Sequence, residues 1–239
     1  MSEFFKFERI KEDIPFYNGT PELSLVDWIA LIAGFVISFL IYRGAIPLEP
    51  IPGLVVGFLA SVLPVLWVFR GNYSLIFKKI TRADIKPMVI LTVVGFIYSL
   101  VAVGICGVLG IIPMEKNIGL AVFTFSTEAV ILIVHLFAEE LFKLAILLIS
   151  MFVVYKFAKN RKVSLIISMI ITAVLFAACH EGSSGPMLQV LIVQGVSTIF
   201  DLILYLNTKN IVATYISHVV FDLAVTALKV FGTAGALSS

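Results

Sequence analysis

Residues 127–159 read TEAVILIVHLFAEELFKLAILLISMFVVYKFAK, thirty-three positions without a Gly or a Pro. As a helix rising 1.5 Å per residue, this stretch is roughly 50 Å long, against a bilayer hydrocarbon core of about 30 Å. Two adjacent carboxylates, Glu139 and Glu140, stand at its middle, with His135 before them and Lys143 after. A charge at that depth costs at least about 2.5 kcal/mol, so an ionisable pair there reads as functional, with partners on neighbouring helices. The stretch can only be the centre of a membrane bundle, and the remaining chain has to enclose those polar groups.

The composition agrees. Only 13% of the 239 residues are charged and 60% are hydrophobic, whereas soluble domains carry about 25% charged residues. The net charge of +2 and the absence of a basic stripe outside the loops argue against nucleic acid as a partner. Cys106 and Cys179 both fall in apolar segments and read as buried thiols rather than a disulfide. The polar first 24 residues are not a signal peptide; Phe4, Phe5 and Phe7 beside Lys6, Arg9 and Lys11 fit an interfacial arm or a solvated tail.

Apolar runs then predict an all-α, polytopic membrane helix bundle of seven spans: about 25–42, 51–69, 88–112, the central 127–159, 163–180, 187–206 and 211–231. An eighth piece arises if the apolar run beginning at Ile118 packs separately. Gly95, Gly104, Gly107 and Gly110 in the third run predict close helix approach. The domain reading is an N-terminal cytoplasmic or interfacial arm, 1–24, followed by one transmembrane domain, 25–232, with the motif-bearing core at 127–225.

Charge fixes an orientation. With seven spans and the N-terminus inside the cell membrane, the inner segments collect thirteen Lys and Arg, and the outer turns hold only Arg43 and Lys116. Breaking the central helix at Glu139 would put its two most basic flanking loops on opposite sides, so the pattern argues for an unbroken helix there.

All three histidines, and Glu128, Glu139, Glu140, Lys143, Asp201 and Asp222, fall in apolar runs. Glu139 and His180 each lie 17 residues from a basic inner end, roughly 25 Å deep at helical rise, and His218 and Asp222 lie roughly 12–18 Å deep. Three helices can therefore bring Glu, His, His and Asp to one pocket. His135, Glu139 and Lys143 share a helix face, and Glu140 with Lys143 is an i, i+3 pair. One Glu can then act as base on a water while the cation holds the other. His135 reads as a satisfied core histidine, and Glu128 and Asp201 as helix-end or inter-helix polar contacts. Cys179 and His180 point about 100° apart on a helix, which argues against a Cys–His nucleophile. Two histidines and a carboxylate could ligate zinc, but HExxH spacing is lacking, so no cofactor is expected.

Three segments, Ala138-Glu139-Glu140-Leu141-Phe142-Lys143, Phe176-Ala177-Ala178-Cys179-His180 and His218-Val219-Val220-Phe221-Asp222, resemble the signature motifs of the type II CAAX prenyl endopeptidase and bacteriocin-processing (CPBP, or Abi) superfamily of glutamic intramembrane proteases. Residues 204–211, LYLNTKNI, are similar to the family's approach to its last motif. The family has a Glu pair with a following Arg; the EExxK spacing here, with Lys143, resembles the branch that includes anti-sigma-factor proteases. The resemblance implies an intramembrane endopeptidase, with membrane lipid and a membrane or lipidated peptide as partners. It implies Glu139 and His180 on the attacking water, Glu140 oriented by Lys143, and His218 with Asp222 at the oxyanion. Asp222, where the family also has Asn, donates only when protonated and otherwise orients His218. Two other functions fit the same sequence: a non-catalytic membrane scaffold like the scaffolding subunit of gamma-secretase, and a proton-coupled transporter using the glutamate pair as a relay.

Overall fold

A computed structural model describes residues 4–111 and 121–236, with side chains at 50, 121–131 and 229–236 excepted. Among the described residues seven helices are long and apolar enough to cross a membrane. These are α1 (Leu25–Tyr42), α2 (Pro50–Val68), α3 (Arg82–Val108), α4 (Ala121–Ala158), α5 (Arg161–Cys179), α6 (Met187–Thr208) and α7 (Ile211–Ala236). The seven spans follow the apolar runs; α3 starts six residues earlier than its hydropathy, because Thr81 and Asp84 form a capping box ahead of Pro87. The run from Ile118 to Leu120 lies outside the described residues.

The central helix is unbroken through Glu139 and Glu140 and packs against α1, α2, α5 and α7. In their membrane-length windows α4 and α5 each have 56% of positions buried, against 22% for α1, α3 and α7, so α4 and α5 form the inside of the bundle and the other three turn most of their surface outward. Outward faces are large and apolar; Val108 is 90% exposed and Phe157 84%. In lipid such faces need no cover, and helices associate instead through small residues and hydrogen bonds. The contact between α1 and α2 has this form. Ser61 Oγ donates to Ser38 Oγ at 3.1 Å and meets the Tyr42 hydroxyl at 3.1 Å, while a Cβ at Gly34 would run into Pro64 and the Ala60 carbonyl. The glycines of α3 behave otherwise: Gly95 lies against Phe200, but among the described residues nothing comes within 4 Å of a Cβ at Gly104 or Gly107.

Within α6, residues Leu191–Gly195 form a π-turn, which apolar periodicity does not reveal. Such turns leave carbonyls poorly paired and gather at functional sites; here the Tyr98 hydroxyl of α3 donates to the Ile192 carbonyl at 2.6 Å.

The N-terminal segment differs from the expected loose or surface arm. Glu8 is 0% exposed and Ile14, Phe16 and Tyr17 join the core. Arg161 donates to both Glu8 carboxylate oxygens, at 2.9 and 2.7 Å, and Lys209 donates to Oε2 at 2.9 Å. Arg161 also donates to Asp13 at 2.7 Å, and its guanidinium covers the Phe4 ring at 4.3 Å. The segment is drawn in because Arg161 and Lys209, buried at the bundle's end, require counter-charge.

Burial alone would raise the Glu8 carboxyl, but Arg161, the Phe5 N–H and Lys209 outweigh it and hold the carboxyl down at about 2, from an ordinary 4.5. A depressed carboxylate contributes stability above its unfolded value and loses it as pH falls through the folded one. The wild-type melting temperature should therefore drop between about pH 4.5 and 2 through a loss of order 3 kcal/mol. Glu8→Gln should begin lower and decline less over that range, with the ion-paired carboxyls of Asp27 and Asp84 left to account for the rest, which thermal unfolding across pH will measure.

Candidate active site

Helical periodicity puts Glu139 on the α4 face that looks towards α5 and α7, and each neighbour presents a histidine to it. His180 caps the C-terminus of α5, and His218 lies two turns into α7. His180 Nε2 is 4.0 Å from Glu139 Oε1, and His218 Nε2 is 3.9 Å from Glu139 Oε2. Asp222, one turn beyond His218, brings Oδ2 to 3.8 Å from the same Nε2. The expected quartet of Glu139, His180, His218 and Asp222 does converge.

Hydrogen-bond logic fixes the protons. His180 Nδ1 lies 3.0 Å from the Phe176 carbonyl, which only accepts, so Nδ1 carries the hydrogen and a neutral His180 turns a lone pair towards Glu139. A carboxylate is also acceptor-only. Two acceptors facing across 4.0 Å leave room for a donor that binds both, and a water has that chemistry. His218 Nδ1 donates to Glu140 Oε1 at 2.7 Å, so its Nε2 faces Glu139 and Asp222 as a lone pair when the ring is neutral and as a donor when it is protonated.

Glu140 is held from two sides. The Lys143 ammonium forms an ion pair with it, donates to Asp201 Oδ2 at 2.6 Å, and lies 5.1 Å over the Phe176 ring. Glu140 and Lys143 are each only 2% exposed. Asp201 on α6, expected as an inter-helix contact, is thus the second carboxylate balancing Lys143. Only tertiary packing could pair it, since nothing local joins residues 143 and 201.

A metal fits poorly. Ligand atoms of Glu140, Asp201 and His218 lie within 4.8 Å of one another, as a divalent ion would need. The Lys143 ammonium already bridges the two carboxylates and sits 3.4 Å from His218 Nδ1. A metal would have to displace a buried cation.

Two cavities meet at Glu139. The larger, about 670 Å³, runs between α3, α6 and α7, with Leu100, Val103 and Leu228 among its apolar lining and Gln189, Gln194 and Ser197 among its polar lining. The smaller, about 160 Å³, lies behind the carboxylate among Tyr42, His135, Cys179 and Ser183. Glu139, His180, Phe176 and Ser183 line both. Near this junction Arg43, at the end of α1, pairs with Glu181 and donates to the Ala178 carbonyl at 2.8 Å, tethering the turn beside His180. His135, read as a core histidine, donates from Nε2 to Glu139 Oε1 at 3.1 Å; its i, i+4 spacing was the signal for this contact. Cys106 and Cys179 are buried free thiols. The Glu128 side chain lies outside the described residues.

No curated protein and no solved structure matches the chain. A family model described as "Type II CAAX prenyl endopeptidase Rce1-like" matches residues 120–224, just under half of the chain, and that segment contains Glu139, Glu140, Lys143, His180, Asp201, His218 and Asp222. The chain is an integral membrane protein whose residues 120–224 match the Rce1-like, type II CAAX prenyl endopeptidase family.

Proposed function

We propose that this protein is an intramembrane endopeptidase that hydrolyses a peptide bond with a water activated by Glu139. The observation that carries the reading is the convergence of three ionisable groups on one point: Glu139, with His180 Nε2 at 4.0 Å and His218 Nε2 at 3.9 Å, all lining a cavity of about 670 Å³. In this mechanism the water gives a proton to Glu139 while its oxygen attacks the scissile carbonyl carbon. His180 orients the water through its second hydrogen. His218, protonated and backed by Glu140, turns Nε2–H towards the developing oxyanion. Asp222, 3.8 Å from that nitrogen, orients the ring. As the C–N bond breaks, Glu139 returns its proton to the leaving amine.

The substrate class follows from the family match and from the lining of the large cavity, which joins apolar side chains of α3 and α7 to the amides and hydroxyls of α6. Such a wall suits a membrane-anchored or lipidated peptide. We propose further that the protein lies in the cell membrane with its N-terminus cytoplasmic, on the balance of Lys and Arg. The test is cleavage of fluorogenic peptides, with and without a prenyl group, by protein in nanodiscs. Turnover that disappears in Glu139→Gln supports the reading, and turnover that survives it ends it.

A further inference from the structure

We propose that His135 is a positioning residue for Glu139, engaging one lone pair of Oε1 so that the carboxylate stays turned towards His180 and His218. The inference deepens the proposed function and rests on it. His135 belongs to none of the three motif segments, yet its Nε2 is the nearest imidazole nitrogen to Glu139, 3.1 Å from Oε1, while those of His180 and His218 stand 4.0 and 3.9 Å away. The two outer distances leave space for a small molecule; the inner one is a direct hydrogen bond.

The ring is braced from behind. It meets the Tyr42 ring edge-on, with centroids 5.5 Å apart. The Tyr42 hydroxyl is in turn tied to Ser61 at 3.1 Å, and Ser61 to Ser38 at 3.1 Å. The α1–α2 pair therefore fixes the imidazole, and the imidazole fixes the carboxylate. His135 lines only the small chamber, whereas Glu139 and His180 line both cavities. From that side His135 does not reach a substrate in the large cavity, and its effect has to pass through Glu139. With one lone pair of Oε1 engaged by the His135 N–H, the rest of that oxygen still faces His180 and Oε2 faces His218. Without that bond the carboxylate can rotate about its terminal torsion, which is broad and roughly two-fold.

Three variants test the proposal. His135→Ala removes the donor, His135→Gln keeps an N–H donor near the Nε2 position, and His135→Asn puts its donor nearer the Nδ1 position, out of reach. Measured with the same peptide in nanodiscs, kcat of H135A and H135N should fall about 10- to 100-fold, the cost of a misplaced catalytic group. KM should stay within about two-fold, and H135Q should recover most of kcat. Wild-type kcat in folded H135A, a change confined to KM, or equal kcat in H135Q and H135N would overturn the assignment. Should H135A fail to fold, the Gln–Asn comparison decides alone. Glu139→Gln measured alongside keeps the two readings apart. An active Glu139→Gln defeats the peptidase mechanism itself, whereas an inactive Glu139→Gln beside a fully active H135A defeats only the role of His135.

Discussion

Glu139→Gln should lower peptide turnover by about 10²- to 10⁴-fold, the range for removal of a general base, while leaving the fold intact. The carboxamide is nearly the same size and can still accept from the His135 Nε2–H now 3.1 Å from Oε1. What it loses is the basic oxygen. Worse, where a carboxylate turns only lone pairs towards the reaction point, an amide placed with its nitrogen forward would donate to the acceptor His180 Nε2. That competes with the water for the lone pair that orients it. KM should change little, because the large cavity, the proposed substrate site, is lined mainly by α3, α6 and α7. Steady-state kinetics and a melting curve on the same preparation check both halves, and a variant that cleaves within a few-fold of wild type would remove Glu139 from the mechanism.

Lys143→Met should cost more in stability than any other single change in the site. The ammonium is buried at 2% exposure between Glu140 and Asp201, its ion-pair partners. Methionine fills similar volume but leaves two carboxylates in a low-dielectric interior with no cation between them. Removing one partner of a buried ion pair costs roughly 3–5 kcal/mol, which corresponds to a fall of roughly 10 °C in melting temperature for a chain of this size. Activity should fall too, since Glu140 anchors His218 through Nδ1 at 2.7 Å. The triple variant Lys143→Met, Glu140→Gln, Asp201→Asn separates the two effects. It removes the uncompensated charge and should recover most of the melting temperature, yet stay weakly active because Glu140 no longer backs His218. A single Lys143→Met protein as stable as wild type would mean that the cluster is open to water. Lys143→Arg keeps the charge but brings a larger, forked head into a space shaped for an ammonium, so partial recovery of both readouts is expected.

The legible part of this protein follows from what oil does to polar groups. Seven apolar runs, an unbroken helix through Glu139 and Glu140, and His180 and His218 as its polar partners could be read because each ionisable residue at mid-depth stands out against its surroundings. The i, i+3 pairing of Glu140 with Lys143 could be read because helical geometry is local. The π-turn at Leu191–Gly195 could not, since a one-residue widening leaves the apolar pattern almost unchanged. Nor could the place of residues 4–24. Their charges match a surface arm as well as a docked one, and only Arg161 and Lys209 on distant helices decide that Glu8 is buried.

By itself, then, the sequence determined that the chain crosses a membrane about seven times and which few side chains must find partners inside it, because hydrophobicity and helix period act along the chain. The tertiary structure decided which partner each one takes. Lys143 balances Asp201 as well as Glu140, His135 rather than a motif histidine bonds Glu139 directly, and the motif histidines stand back by about 4 Å. Those choices depend on how helices distant in sequence lie against one another, and no local rule encodes that distance.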